Sequence, residues 1–170
     1  VRLFRGRNSV GVRGMRLLNE DKLVSMCVIR DPEQEFVLSI TENGYGKRTS
    51  VGEYRKAGRG GQGVANIETS VRNGLVVASF TVFAEDQLML VTDAGKVIRI
   101  RVDGGEGDVI RIAGRKTQGV RLFEVDGEEK VVSVGVIRDV DDGHDTEDNK
   151  TSGEPQDAET DGFSGEQTKE

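Results

Sequence analysis

Arg7, Arg59 and Arg115 each open the frame Arg-x-x-x-Gly-Val, and each follows a glycine: Gly6, Gly58 and Gly114. The spacings are 52 and 56 residues. Arg5, Lys56 and Lys116 flank these arginines, while Lys47, Arg48, Arg99 and Arg101 lie in stretches that read as strands. Guanidinium and ammonium groups hold phosphates by charge, without reading a base sequence. Cations repeated at one place in every unit line up along a rim, and a curved basic rim suits a bent polyanion. The expectation is that Arg7, Lys47, Arg48, Arg59, Arg99, Arg101 and Arg115 face outward and grip a nucleic acid; a merely solvated face is the bland alternative.

Other chemistry finds little support. The glycine-rich segment 58–63 lacks the Gly-Lys-Ser/Thr of a phosphate loop and the strand-to-helix context of a dinucleotide site. It reads first as a turn between strands, and its glycines let a backbone approach a phosphate closely. His144, the sole histidine, stands in an acidic stretch without convergent ligands, so no metal site is expected. Cys27 sits in an apolar run and reads as a small buried hydrophobe. It is the sole cysteine, which excludes an intrachain disulfide and fits a reducing cytoplasm. Tyr45 and Tyr54 lie in glycine- and charge-rich strand sequence, as packing or surface residues rather than nucleophiles. No Ser/His/Asp set can be assembled, so no catalytic centre is expected.

The elements that must position these cations read as β. Lys96–Val102 alternates, with Ile98, Ile100 and Val102 on one face and Arg99 and Arg101 on the other. Val109–Ile112 alternates likewise. Asn43-Gly44, Asn73-Gly74, Asp93-Ala94-Gly95, Asp103-Gly104-Gly105 and Asp126-Gly127 supply turns. A second element follows each frame, at Leu23–Ile29, Leu75–Val82 and Val131–Ile137. A third, Val37–Gly44 and Leu88–Gly95, precedes the last two frames. A period near 50 residues signals a propeller-like or solenoid array.

Charge divides the chain. Residues 1–138 carry 22 Lys and Arg against 18 Asp and Glu, a net of +4. Residues 139–170 carry 2 Lys against 12 Asp and Glu, a net of −10, with few large apolar residues. That segment has too little surface to bury and is expected to be a disordered acidic tail. The chain opens on Val1 within strand-like sequence, so it is expected to be a piece of a longer protein without a signal peptide. No apolar run approaches the roughly 20 residues of a membrane span.

Thr41-Glu42-Asn43-Gly44-Tyr45-Gly46-Lys47-Arg48-Thr49, with Glu53-Tyr54-Arg55 and Gly58-Arg59-Gly60-Gly61-Gln62-Gly63-Val64 after it, resembles the C-terminal domain of the DNA gyrase A subunit. Leu90–Arg99 leading to Gly114–Leu122, and the first copy Gly6–Gly14, belong to the same series. The resemblance spans 1–138. It implies an all-β fold, a partial β-pinwheel of four-stranded antiparallel blades, with two full blades and part of a third. It also implies a non-catalytic module that wraps double-stranded DNA for ATP-dependent negative supercoiling. Candidate DNA contacts are then Arg5, Arg7, Lys47, Arg48, Arg55, Lys56, Arg59, Arg99, Arg101, Arg115 and Lys116. ATP and Mg2+ would serve the parent complex and not this segment. The partner would be the gyrase B subunit in an A2B2 heterotetramer, with no membrane, in a bacterial, cytoplasmic, nucleoid-associated setting. The family's wrapping box reads Gln-Arg-Arg-Gly-Gly-Lys-Gly. The nearest segment, Ala57–Gly63, lacks the leading Gln and carries Gln62 in place of Lys. The topoisomerase IV A subunit, which acts in decatenation, has a related domain with degraded boxes and is the alternative. A propeller for protein–protein interaction would carry Gly-His and Trp-Asp pairs, and this chain has no Trp.

Overall fold

Among the described residues, β-branched and aromatic runs broken by glycine turns build seven strands: β1 (Phe36–Thr41), β2 (Tyr45–Ser50), β3 (Val76–Val82), β4 (Gln87–Thr92), β5 (Val97–Arg101), β6 (Val120–Arg121) and β7 (Val131–Ile137). The structure is a computed structural model that describes residues 3, 6–18, 20–105 and 109–138. Among these there is no α-helix, only the 3-10 turn Val51–Glu53. The strands form two antiparallel sheets, ordered β3-β1-β2-β6 and β5-β4-β7. The fold is the all-β, propeller-like arrangement expected from the repeats.

The two sheets repeat each other closely. The β1–β3 pairing slips between Ile40 and Thr41, and the β4–β7 pairing slips between Val91 and Thr92. Each hairpin closes alike, with the Gly44 amide on the Thr41 carbonyl and the Gly95 amide on the Thr92 carbonyl, both at 3.1 Å. Leu38, Ile40 and Val82 from one sheet and Leu88, Leu90 and Val131 from the other join Val102 and Ile110 in one core, none more than 1% exposed. Burying such a side chain stabilises by roughly 1.5–3 kcal/mol. Alternation along β5 is as expected, with Ile98 and Ile100 half-buried between exposed Val97, Arg99 and Arg101.

The frame glycines Gly11, Gly63 and Gly119 share φ values of 80°, 81° and 78°. An L side chain is strained there, which explains why glycine recurs at that place. Gly119 has a second reason: a Cβ on it would meet the Gly46 carbonyl oxygen at 2.7 Å.

Two expectations are corrected. Leu23–Ile29 is not a strand: most of it is exposed, and Cys27 is exposed rather than buried. Its counterparts β3 and β7 pair with β1 and β4, the first strands of hairpins that stand ahead of them. Among the described residues no such hairpin stands ahead of Leu23–Ile29. Val109–Ile112 also forms no strand; Ile112 makes one isolated parallel bridge to Arg48.

Candidate nucleic-acid interface

The third frame copy lies along the outer edge of β2. Arg121 and Val120 pair with Tyr45 and Gly46. The Arg48 amide donates to the Arg111 carbonyl at 3.0 Å, and the Ala113 amide donates to the Arg48 carbonyl at 2.8 Å. This cover overturns the outward placement of Lys47 and Arg48, which are 0% and 6% exposed. Lys47 Nζ donates to the carbonyls of Gly114 and Arg115 at 2.6 and 2.7 Å. Arg48 Nε donates to the Ile110 carbonyl at 2.8 Å, and its guanidinium lies 5.2 Å from the centroid of the Phe36 ring. Backbone acceptors replace the water that a buried cation would otherwise lose. Burial pulls the Lys47 ammonium down to about 8; the charge of Arg115 adds to the shift and that of Glu53 opposes it. These two side chains fasten the third frame to β2.

The other expected contacts divide by exposure. Arg7, Arg55, Lys56, Arg59 and Lys116 are exposed. Arg59 sits at a turn laid against the first copy: the Gly60 amide donates to Gly14, and the Arg16 amide to Gly61, both at 2.8 Å. Arg115 is only half-buried rather than outward. Its Nη1 donates to the Ala65 carbonyl at 2.8 Å, and its guanidinium lies 5.9 Å from the Tyr54 ring centroid. Arg5 lies outside the described residues, as do 139–170 and with them the expected tail and His144.

Arg99 and Arg101 are exposed and come together with Arg111 and Arg121 around a cleft of about 610 Å³. Arg99 Nε donates to Gln87 Oε1 at 2.7 Å. Arg101 grips Asp103 through both oxygens, at 2.9 and 2.8 Å, which holds the Asp103 carboxyl below the usual range.

Sequence reasoning missed a third group of cations. Arg72 and Arg121 both donate to the Tyr45 hydroxyl, at 3.3 and 3.2 Å, and Lys130 donates to Asn43 beside it. One signal was available: Arg121 directly follows the Gly-Val of its frame, where the first copy has Arg13. Arg72 and Lys130 left none, because contacts across such sequence separations have no periodicity. Among the described residues, no group of three or more His, Cys, Asp or Glu side chains is placed to hold a metal ion. Nor is any helix there long and apolar enough to cross a membrane.

The family profile described as "DNA gyrase C-terminal domain, beta-propeller" matches residues 4–29, 35–82 and 86–138, taking in all three frames. The chain is 36% identical to the DNA gyrase A subunit of Rickettsia conorii, over 81% of this chain and 20% of the relative. It is 46% identical to the DNA gyrase A subunit of Klebsiella oxytoca, over 76% of this chain and 14% of the relative. It thus spans a fifth or less of the length of these relatives. A solved DNA gyrase A C-terminal domain superposes with a TM-score of 0.55 at 26% identity, over 62% of this chain and 34% of that one. The C-terminal domain of DNA topoisomerase IV superposes with a TM-score of 0.65 over 74% of this chain and 38% of that one, and at 24% identity this likeness speaks for the fold.

Proposed function

The chain belongs to the DNA gyrase C-terminal beta-propeller family, and from that premise we propose that it holds and bends duplex DNA for a type II topoisomerase. In this reading the parent enzyme cleaves DNA and hydrolyses ATP elsewhere, and this segment contributes the surface on which the duplex is laid. The observation that carries the reading is the family match across all three frames, with Arg7, Arg59 and Lys116 exposed beside them. Phosphate contacts of this kind position a duplex without reading bases. Arg55, Lys56, Arg99 and Arg101 extend the surface, and Arg115 borders it. Lys47 and Arg48 serve it from beneath by fixing the third frame.

In this reading the segment handles neither Mg2+ nor ATP. We assign both to the parent complex, in which the polypeptide carrying this segment joins the gyrase B subunit to form A2B2 in the bacterial cytoplasm, at the nucleoid. The body would end near residue 138. Residues 139–170, with their net −10, would either touch nothing or, as an intramolecular polyanion, compete with DNA for the basic surface. In the second case their deletion would raise DNA affinity at low salt.

A salt titration of duplex affinity tests the reading. We expect log Kd to rise steeply with log salt, similarly for unrelated sequences. Arg59→Gln with Lys116→Gln should flatten the slope by up to about two units, one per lost phosphate contact. An unchanged slope would make both groups ordinary solvated surface.

A further inference from the structure

The end of the first hairpin gathers three cations around one buried hydroxyl. Tyr45, which opens β2, is 5% exposed. Arg72 reaches its Oη through Nε at 3.3 Å, and Arg121, its β6 partner, through Nη2 at 3.2 Å. The two guanidiniums lie 4.9 and 5.7 Å from the centroid of the same ring. Lys130 Nζ stands 2.5 Å from Asn43 Oδ1. These groups line one small cavity of about 200 Å³, open beside Glu124.

Among the described residues, carboxylates do not balance this charge. Glu124 approaches Arg121 at 3.5 Å with its side chain 79% exposed, a weak pair. Glu42 is turned to the Leu75 amide, and Asp93 to the backbone amide of Lys130. Asp126 and Glu129 are taken by Lys96, at 2.5 and 2.9 Å. Lys96 is the counterpart of Tyr45 in the second hairpin, by the shared register slip at Thr41 and Thr92. Among the described residues the second hairpin thus neutralises one cation with two carboxylates, whereas the first holds three cations beside one exposed carboxylate.

Each guanidinium has five N–H donors in a planar fork, and Tyr45 occupies one donor of each. Two forks and an ammonium converging on one cavity match a tetrahedral oxyanion, which accepts several charged hydrogen bonds at once. Burial fixes the phenol, and the phenol fixes both forks. The site is therefore held ready before a ligand arrives.

We propose that Tyr45, Arg72, Arg121 and Lys130 form an oxyanion site that takes one phosphate group. Resting on the DNA-binding reading above, that group is a backbone phosphate of bound duplex. The site extends the DNA surface to the hairpin end of the first sheet.

Tyr45 reports its own occupancy. Hydrogen bonds from Arg72, then Arg121, hold its phenol below the usual range against the opposing effect of burial. A phosphate drawing on the forks weakens those bonds and moves the ring signal. The chain has two tyrosines and no Trp, so the full chain labelled at the tyrosine ζ-carbon gives two resonances, assigned with Tyr54→Phe. Inorganic phosphate and a short duplex are titrated separately at low salt, with duplex binding followed in parallel by gel retardation. We expect Tyr45 to shift saturably with each, and with duplex in step with retardation. Arg72→Gln and Arg121→Gln should each weaken the phosphate response by about tenfold, the scale of one charge-assisted contact; the Tyr54 resonance shows that the variants remain folded. A Tyr45 signal unmoved by both ligands overturns the site, whether or not DNA binds. A response to phosphate alone, with duplex bound, overturns the assignment to DNA. A response to phosphate in a chain that binds no duplex supports the site while the DNA-binding reading fails.

Discussion

The sheet on β1–β2 and the sheet on β4–β5 repeat one unit down to the position of the bulge, yet their outer edges differ. The edge of β2 is covered by residues 110–122, and the edge of β5 pairs with no described segment. Equivalent positions diverge accordingly. Lys47 is fully buried and spent on carbonyls, while its counterpart Ile98 is half-buried; Arg48 is buried, while its counterpart Arg99 is exposed. The same strand position is a fastening in one sheet and a surface in the other. The role of a cation in this repeat is thus set by whether the next frame lies over it, not by its own residue type.

The largest expected effect follows from the cover. Lys47→Met removes a fully buried donor from the carbonyls of Gly114, which keeps the Thr117 hydroxyl, and of Arg115, at roughly 1–3 kcal/mol. Ile98→Met, at the equivalent uncovered position, should cost less than about 1.5 kcal/mol. Urea unfolding with unchanged m-values measures both. Equal costs would show that the cover does not depend on Lys47.

The second contrast is in DNA binding. Arg99→Gln should flatten the salt slope by about one unit. Arg101→Gln should flatten it less, because Asp103 already neutralises that guanidinium. Lys47→Met should leave the slope itself nearly unchanged, since a buried ammonium displaces no counterion from DNA. A slope loss at Lys47 equal to that at Arg99 would break the division into fastening and surface.

A third, smaller effect is in pH. The folded Lys47 releases its proton near 8, and the unfolded chain near the ordinary 10.5. Between these values the unfolded state binds more protons, so this group's contribution to stability rises with pH. The advantage of the native chain over Lys47→Met should therefore grow from pH 7 to pH 9, by no more than about 1 kcal/mol once solvent screening is allowed for. A shrinking advantage would mean that the carbonyls, and not burial, govern the proton.

Much of this was legible in the residues. The frame glycines, the Asn43-Gly44 and Ala94-Gly95 turns and the alternation of β5 announced the repeated hairpins, because these are local rules. Burial of Lys47 and Arg48 was not legible. Tyr45–Ser50 looks like an exposed polar strand, and the atoms that cover it come from residues more than 60 positions later. Cys27 misled for the opposite reason: its run is apolar enough for a core strand, but no described hairpin receives it. Arg72, Arg121 and Lys130 meet only because β6 and the turns before β3 and β7 converge on the first hairpin.

The smallest expected effect concerns the hairpin ends, where salt distinguishes the two kinds of cation. Lys96 is exposed and paired with Asp126 and Glu129, which raise its pKa through hydrogen bonds; Thr92 also donates to Glu129. The Lys96–Asp126 pair is exposed and is screened once the Debye length shrinks to about 3 Å, near 1 M salt, whereas Glu129 is buried and keeps the Thr92 hydroxyl. Lys96→Gln, which keeps an amide donor for Glu129, should lower Tm slightly, and more at low salt than at 1 M. The cost of Lys47→Met should persist at both, because it arises from the contacts of a fully buried side chain and not from an exposed ion pair. Melting the native chain and both variants at the two salt concentrations measures this directly. A salt-sensitive cost at Lys47 would mean that water and ions enter beneath the third frame, and that the edge of β2 is as open as that of β5.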